Sequence, residues 1–349
     1  MYLSGVVCEL PTQQIFNDEI VELVAYYSRG VYAGDLRALL STINTKLRRI
    51  GLVSRYWRSK RERPIALLQR ACEAALKQSN VDRNDVDFVI YVGVDRGFAE
   101  PANACFIAKE LGMNRARAFD VADACLGWAT GTEIAQALFA SAPGAVALIV
   151  SAEFPMRPNG SVIPGCFTIT SDAELEWKFP AFTLGEAATA TILVGEGPVW
   201  RYIHESHNEF ADLCTVGLGL SSEYAGASSR LDPSVNGGFR AYGRELTKQT
   251  TRPAIRVLRE LLSGMEKPRV IFPHSVMGPY VVELAARAAA GLALFSTFAE
   301  QGNLATSSLP SCISRARREG VLKPNDVAVG WVAASGIKVS AFEILQRLG

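Results

Sequence analysis

An α/β protein with buried sheets is the fold class this sequence predicts. Short, continuously apolar runs rich in Val and Ile alternate with longer Ala-rich stretches of helical period. The same rhythm restarts after Gly197, which predicts a duplicated architecture with an N-terminal half at 1–197 and a C-terminal half at 198–349. Hydrophobic residues make up 49% of the 349 residues and charged residues 20%, enough for a sizeable core and contrary to disorder.

In the first half, Val86–Val94 reads as a buried strand after the turn Asp82-Arg83-Asn84-Asp85. Pro101–Leu111 reads as a helix, with proline near its start and Gly112 after its end. Ala118–Val121 is a short strand, Leu126–Phe139 a helix, and Ala145–Ala152 and Ala188–Val194 are buried strands. In the second half, Arg240–Ser263 is a long helix, Arg269–Phe272 a strand, Tyr280–Ala290 a helix and Val327–Val332 a strand. Pro155–Trp177 and Glu209–Gly238 are polar and rich in Ser and Gly, and are expected to be loops lining a site.

A formal net charge of +1 gives no global argument for nucleic acid. The 7 cysteines are odd in number and scattered, with no CxxC pair, which suits a reducing cytoplasm. The first residues show no basic flank or long apolar stretch, so no signal peptide is expected. The longest apolar run, 145–152, is far below the roughly 20 residues that span a bilayer.

Cys125 stands between a strand and a helix in Ala118-Phe-Asp-Val-Ala-Asp-Ala-Cys125-Leu-Gly-Trp-Ala-Thr-Gly131. A thiol at a helix N-terminus meets unpaired N–H groups and the positive end of the dipole, both of which favour the nucleophilic thiolate. Gly127 and Gly131 each cost about 1 kcal/mol inside a helix relative to Ala, so another backbone or a ligand is expected close by. Free cysteine is also a common inert core residue, and spacing alone leaves both readings open. Cys8, Cys72, Cys105, Cys166, Cys214 and Cys312 lack this context and are expected to be inert.

The run FDVADACLGWATGTEIAQAL resembles the nucleophile segment of ketosynthase III enzymes, a branch of the thiolase superfamily. Pro273-His274-Ser-Val-Met277 is similar to that family's histidine motif. Gly302-Asn303-Leu-Ala-Thr-Ser-Ser-Leu-Pro310 is similar to its Gly-Asn motif. Phe182-Thr-Leu-Gly185-Glu-Ala-Ala188 resembles its internal glycine-rich strand entry, and Ala333-Ala-Ser-Gly336 its C-terminal glycine turn. Each is weak alone, but they fall in family order. The likeness is good over 86–152, moderate in the last third and poor through Arg63. It implies a five-layered αβαβα thiolase-like fold, a homodimer, and acyl-CoA or acyl carrier protein thioesters as partners, with no metal or redox cofactor required. It further implies that Cys125 is acylated, that the N–H groups of Cys125 and Ser335 form the oxyanion hole, and that His274 and Asn303 hold the second thioester's carbonyl as its α-carbon becomes an enolate. Taken without the resemblance, His274 and Asn303 read as a bonded core histidine and a turn asparagine.

The sequence departs from the family at two places. Glu100, in Arg96-Gly-Phe-Ala-Glu100-Pro101, stands where carrier-dependent relatives usually have a bulky aromatic. A glutamate there resembles the head-to-head condensing enzymes of olefin and ketone synthesis and related pyrone synthases. In those, the glutamate of one subunit removes an α-proton in its partner's tunnel, so no decarboxylation is needed. A glutamate before a proline-started helix also serves simply as a cap. Met277 and Pro279 replace polar residues of the histidine motif, which leaves the carrier open.

Between Lys46 and Arg63 lie eight basic residues against the single acid Glu62. The resemblance implies a site for coenzyme A phosphates or an acidic carrier protein, with Arg49 as the contact; a solvated charged loop is the plain alternative. His204 and His207 are three apart, one helical turn, but no third metal ligand is evident. The reading adopted is non-decarboxylative Claisen condensation of two acyl thioesters. Its rivals are decarboxylative condensation with a malonyl donor, acyl transfer to an alcohol or amine, and an inactive scaffold.

Overall fold

The structure is a computed structural model that describes residues 1–218, 221–226, 228, 230–231, 238–274, 276–289 and 291–347, without the side chain of Ser222. Two sheets carry it. The first has five strands in the order Tyr2–Glu9, Ala187–Val194, Val146–Glu153, Phe88–Tyr91 and Arg117–Asp120. The second has four, in the order Tyr202–Ser206, Lys338–Leu345, Val327–Ala334 and Ile271–Pro273, and Leu294 adds a parallel bridge beside Ile271. Read this way, both sheets show the same succession: two antiparallel pairings, then parallel ones. The fold is the five-layered thiolase-like one, and its two halves share a strand plan.

Hydrophobic patterning explains the layering. Helices Gly127–Ser141 and Ser308–Arg318 lie between the sheets. One core joins Trp128 and Ala135, Leu309 and Ile313, Ile90 and Ile149 of the first sheet, and Ala328 and Phe342 of the second. Helices Pro64–Ser79 and Asn103–Glu110 cover the outer face of the first sheet. Helices Gly243–Ser263 and Gly278–Ala288 cover that of the second. Strands such as Ala187–Val194 are buried at every position, as a strand covered on both faces must be.

Every element expected from the sequence is present, with shifted ends. The helix expected from Arg240 begins at Gly243, because Phe239–Ala241 pairs as a strand with Cys214–Val216. Ala290, the expected end of the helix from Tyr280, and parts of Glu209–Gly238 lie outside the described residues. Pro155–Trp177 is more than a loop. Val162, Phe167 and Ile169 enter a separate core with helices Asn17–Ser28 and Leu36–Arg49, so this stretch and the N-terminal region build a cap over the sheets' end.

The close neighbour expected at Gly127 and Gly131 is protein. A Cβ on Gly127 would stand 2.5 Å from the Val92 carbonyl oxygen, and one on Gly131 2.8 Å from Val92 Cγ1. The central helix therefore lies nearly against the backbone of the first sheet. This yields a test of two opposed effects. Helix propensity favours Gly127→Ala by about 1 kcal/mol, whereas overpacking against rigid backbone costs about 1–3 kcal/mol. Chemical denaturation of Gly127→Ala should show a net loss of about 0–2 kcal/mol; a gain would mean the helix has room to move.

Candidate active site

Three loops at one end of the sheets build the site. The first follows strand Arg117–Asp120. Ala124 has φ +46°, a left-handed conformation costly for a residue with a Cβ. A 3-10 turn, Ala124–Leu126, then leads into helix Gly127–Ser141 and turns Cys125 toward a cavity. Thr306 Oγ1 donates to the Ala124 carbonyl at 2.8 Å. Asp123 beside it is held by Lys338 at 2.6 Å and by Thr130 Oγ1 at 2.5 Å.

The second loop follows strand Ile271–Pro273. The backbone N–H of His274 donates to Trp331 O at 2.8 Å, which continues the parallel ladder and carries the imidazole to the strand's end. The ring is 8% exposed, and Nδ1 is buried with no hydrogen-bond partner among the described residues. Burial pushes the His274 pKa down to about 4, so the ring is neutral at physiological pH. Ser275, within the motif, lies outside the described residues.

The third loop presents Asn303. Gly302 has φ +72°, and a Cβ there would stand 2.4 Å from Thr183 O, so only glycine fits. The Asn303 backbone is clamped on both sides: its N–H donates to Thr183 O at 2.8 Å and its carbonyl accepts from Gly185 N at 2.9 Å. Its Oδ1 accepts from Ala305 N at 2.9 Å. The side-chain oxygen is thereby occupied, and the amide NH₂ is left to donate elsewhere.

Cys125, His274, Asn303 and Ser335 all line one cavity of about 990 Å³. That is at the upper end of the roughly 300–1,000 Å³ of small-molecule sites. Leu175, Phe179, Leu246, Val281 and Leu284 give it apolar walls, and Lys46, Arg49 and Arg244 are also on its lining. Arg49 is exposed at the end of helix Leu36–Arg49. Glu100 is exposed and does not line this cavity; the expectation for it concerns a partner's cavity.

Several expectations need correction. The Cys125 thiol is not held as thiolate: burial, then Cys214 and Glu153, push its pKa well above the usual thiol value, against a smaller effect of its own N–H. In this largely apolar cavity, desolvation outweighs the helix terminus. Cys214, expected to be inert and given no place in the site, lines the cavity, and its thiol hydrogen-bonds with Ser335. The basic run 46–63 is not one surface. Arg55 is fully buried in strand Ser54–Trp57, donating to Phe182 O at 2.9 Å, with its pKa lowered to about 10 by desolvation. His204 lies on strand Tyr202–Ser206, so the helical spacing to His207 does not apply. His204 pairs with Glu133 at 3.0 Å and His207 with Glu205 at 2.7 Å, and no metal-holding group of three ligands occurs among the described residues.

Sequence reasoning missed two buried carboxyls behind the site. Glu153 ends strand Val146–Glu153 and accepts from Val94 N at 2.9 Å and Asp95 N at 3.2 Å. Glu186 accepts from Arg58 N at 2.6 Å and Met156 N at 2.9 Å. Burial pushes both up to about 7 against these hydrogen bonds. A charged residue closing an apolar strand, and the acid in Gly185-Glu186-Ala187, were the available signals.

No protein-family profile matches the chain. Among curated proteins it is similar to β-ketoacyl-[acyl-carrier-protein] synthase III of Nitratidesulfovibrio vulgaris strain DP4. They are 26% identical over 275 residues, covering 74% of this chain and 77% of the relative. The same-named protein of Clostridium botulinum is 22% identical over 324 residues, covering 89% and 93%. Among solved structures, a cysteine-to-alanine variant of Xanthomonas campestris OleA superposes with TM-score 0.80 at 20% identity, covering 99% of this chain and 96% of that one. A cysteine-to-serine variant with bound lauric acid and lauroyl-CoA gives TM-score 0.79 at 19% identity, covering 99% and 98%. Other OleA structures carry a replaced glutamate or histidine.

The two buried carboxyls make stability depend on pH. Each has a folded pKa near 7 against an ordinary 4.5, so the folded state binds protons more tightly than the unfolded chain. The resulting stabilisation is complete below pH 4.5 and is lost as pH rises through about 7. Urea titrations at pH 6 and pH 8 should show the wild type losing stability, by roughly 1–1.5 kcal/mol per group. Glu186→Gln should lose measurably less over the same interval; an equal loss would place the titration elsewhere.

Proposed function

We propose that this chain, a ketosynthase III-like protein of the thiolase superfamily and a condensing acyltransferase, joins two acyl thioesters through an acyl-Cys125 intermediate. The observation that carries this reading is the single apolar cavity that brings together a thiol, a neutral imidazole and an amide whose oxygen is already occupied. In the first step Cys125 sulfur forms a bond to the acyl carbon and the thioester C–S bond breaks. The thiol proton leaves with the departing thiol, with His274 as acceptor on the way. A raised thiol and a lowered imidazole disfavour an ion pair, so the two groups enter this step uncharged.

In the second step a base takes the α-proton of a second thioester. The enolate oxygen is held by His274 and by the Asn303 NH₂ group, the α-carbon bonds to the acyl carbon, and Cys125 leaves and regains a proton. A β-ketoacyl thioester results. Lys46, Arg49 and Arg244 suit the phosphates of coenzyme A or an acidic carrier. OleA with bound lauroyl-CoA supports a coenzyme A thioester for this chain. The seven free cysteines suit a reducing compartment such as the cytoplasm.

The base in this reading is Glu100 of a second copy. Strand Arg117–Asp120 is the open edge of the five-stranded sheet, and the loop that carries Glu100 leaves the strand beside it. Phe98 in that loop is 49% exposed and stacks on Phe106, with ring centroids 4.2 Å apart. An unpaired edge with an adjacent exposed aromatic suits pairing with another copy. Decarboxylation of a malonyl thioester is the second reading: it needs His274 and Asn303, which line the cavity, and no base.

Incubation with an acyl thioester should add one acyl mass to the wild type and none to Cys125→Ala; equal labelling of both sinks the covalent mechanism. Glu100→Gln should still be acylated but condense two acyl thioesters about 10²–10⁴-fold more slowly, with slower exchange of the donor's α-hydrogen in deuterated solvent. Unchanged condensation would mean that Glu100 is not the base, and a wild type that condenses a malonyl donor but not two simple acyl thioesters favours the malonyl reading. Light scattering should report a dimer at micromolar concentration; a monomer that still condenses excludes a base supplied in trans.

A further inference from the structure

The peptide between Ala124 and Cys125 carries two functions on one rigid plane. Its N–H belongs to Cys125 and is the proposed oxyanion donor. Its carbonyl belongs to Ala124 and accepts from Thr306 Oγ1 at 2.8 Å. In a trans peptide the C=O and N–H point in opposite directions, so holding one aims the other. The plane needs holding, because Ala124 sits at φ +46°, where a residue with a Cβ does not stay unaided.

Thr306 is well placed for this. It is 1% exposed and lies behind Cys125, off the cavity lining. It follows Asn303 in the turn fixed by the Asn303 Oδ1 bond to Ala305 N. Its methyl group packs near Gly127, where a Cβ would come within 3.2 Å of Cγ2. The buried Glu153 lies close to the same hydroxyl. A single hydroxyl thus ties the nucleophile turn to the turn that presents Asn303.

Resting on the acyl-transfer reading above, we infer that Thr306 is a positioning residue for the reaction: its hydroxyl fixes the Ala124–Cys125 peptide so that the Cys125 N–H faces the developing oxyanion. The side chain touches neither substrate nor thiol. Its effect therefore falls on reactions that pass through a tetrahedral oxyanion and spares those that only need an accessible sulfur.

That difference is the test. Acylation of Cys125 by an acyl thioester passes through an oxyanion, whereas alkylation by iodoacetamide displaces iodide at a saturated carbon and does not. Thr306→Val keeps the shape and removes the hydroxyl. Its acylation rate constant should fall about 10–100-fold, in kcat more than in KM, while alkylation of Cys125 stays within about twofold of wild type. Thr306→Ser, which keeps the donor, should return acylation to within about threefold of wild type. Thr306→Ala, made in parallel in case valine packs badly, should show the same loss as Thr306→Val. Wild-type acylation in both Thr306→Val and Thr306→Ala overturns the inference, as does a Thr306→Ser variant no better than Thr306→Ala. A parallel fall in alkylation also overturns it, because the change would then have disturbed the sulfur itself. A wild-type protein that no acyl thioester labels overturns the acyl-transfer reading, and the inference with it; the wild-type control keeps the two failures apart.

Discussion

The contact of helix Gly127–Ser141 with the first sheet sets the geometry on which the other features of this site depend. At Gly127 the helix backbone lies so near Val92 that a methyl group would stand 2.5 Å from a carbonyl oxygen. That approach fixes where the helix starts, hence where the preceding turn must bend, hence the left-handed conformation of Ala124. With the helix farther out, Cys125 would retreat from the ends of the parallel strands, where the other two loops arrive. Two glycines give up about 1 kcal/mol each of helix propensity to permit this closeness. A helix also covered on its far side by the second sheet keeps that loss small against the apolar area it buries.

A second constraint is electrostatic. The site is enclosed enough that desolvation is the largest influence on Cys125, His274, Glu153 and Glu186, and in each it favours the neutral form. The two carboxyls nevertheless face backbone N–H donors with both oxygens, an arrangement suited to the ionised form. Burial and hydrogen bonding pull in opposite directions, and they meet near neutral pH. For Cys125 and His274 no comparable set of bonds opposes burial, so both stay uncharged. A neutral imidazole in an enclosed apolar cavity can stabilise charge that develops during a reaction without presenting charge of its own beforehand.

Much of this was legible in the sequence because parallel strands end where the chemistry is. Cys125, His274 and Asn303 each sit in a turn that glycine, proline or a strand end marks, and each turn reads locally. The strand–helix alternation likewise reads locally, since buried strands are continuous apolar runs. The missed features are those that only tertiary contact defines. Arg55 lies in a run of exposed cations and looks like one of them, yet its strand pairs under the cap and carries it inside. Cys214 is 89 positions from Cys125 and shares its cavity only because Cys214–Val216 pairs with Phe239–Ala241 along the wall. The thiol's raised pKa was out of reach for the same reason. A helix terminus is visible in sequence, whereas the depth of the cavity above it is not.

The cap carries the part of the problem the family likeness leaves open. It is assembled largely from the N-terminal region and from 155–177, where resemblance to the ketosynthase III motifs is poor, while the sheets beneath follow the shared plan. Phe179 and Leu175 of the cap face the same cavity as Leu246, Val281 and Leu284 of the second half. Cys125, His274 and Asn303 therefore stand on the shared sheet plan, and much of the apolar wall comes from the cap. Repacking a side chain such as Phe179 would change the cavity's width without moving Cys125, His274 or Asn303, whose turns are held by their own hydrogen bonds. The framework thus sets how the three side chains face the cavity, and the cap sets the space in front of them.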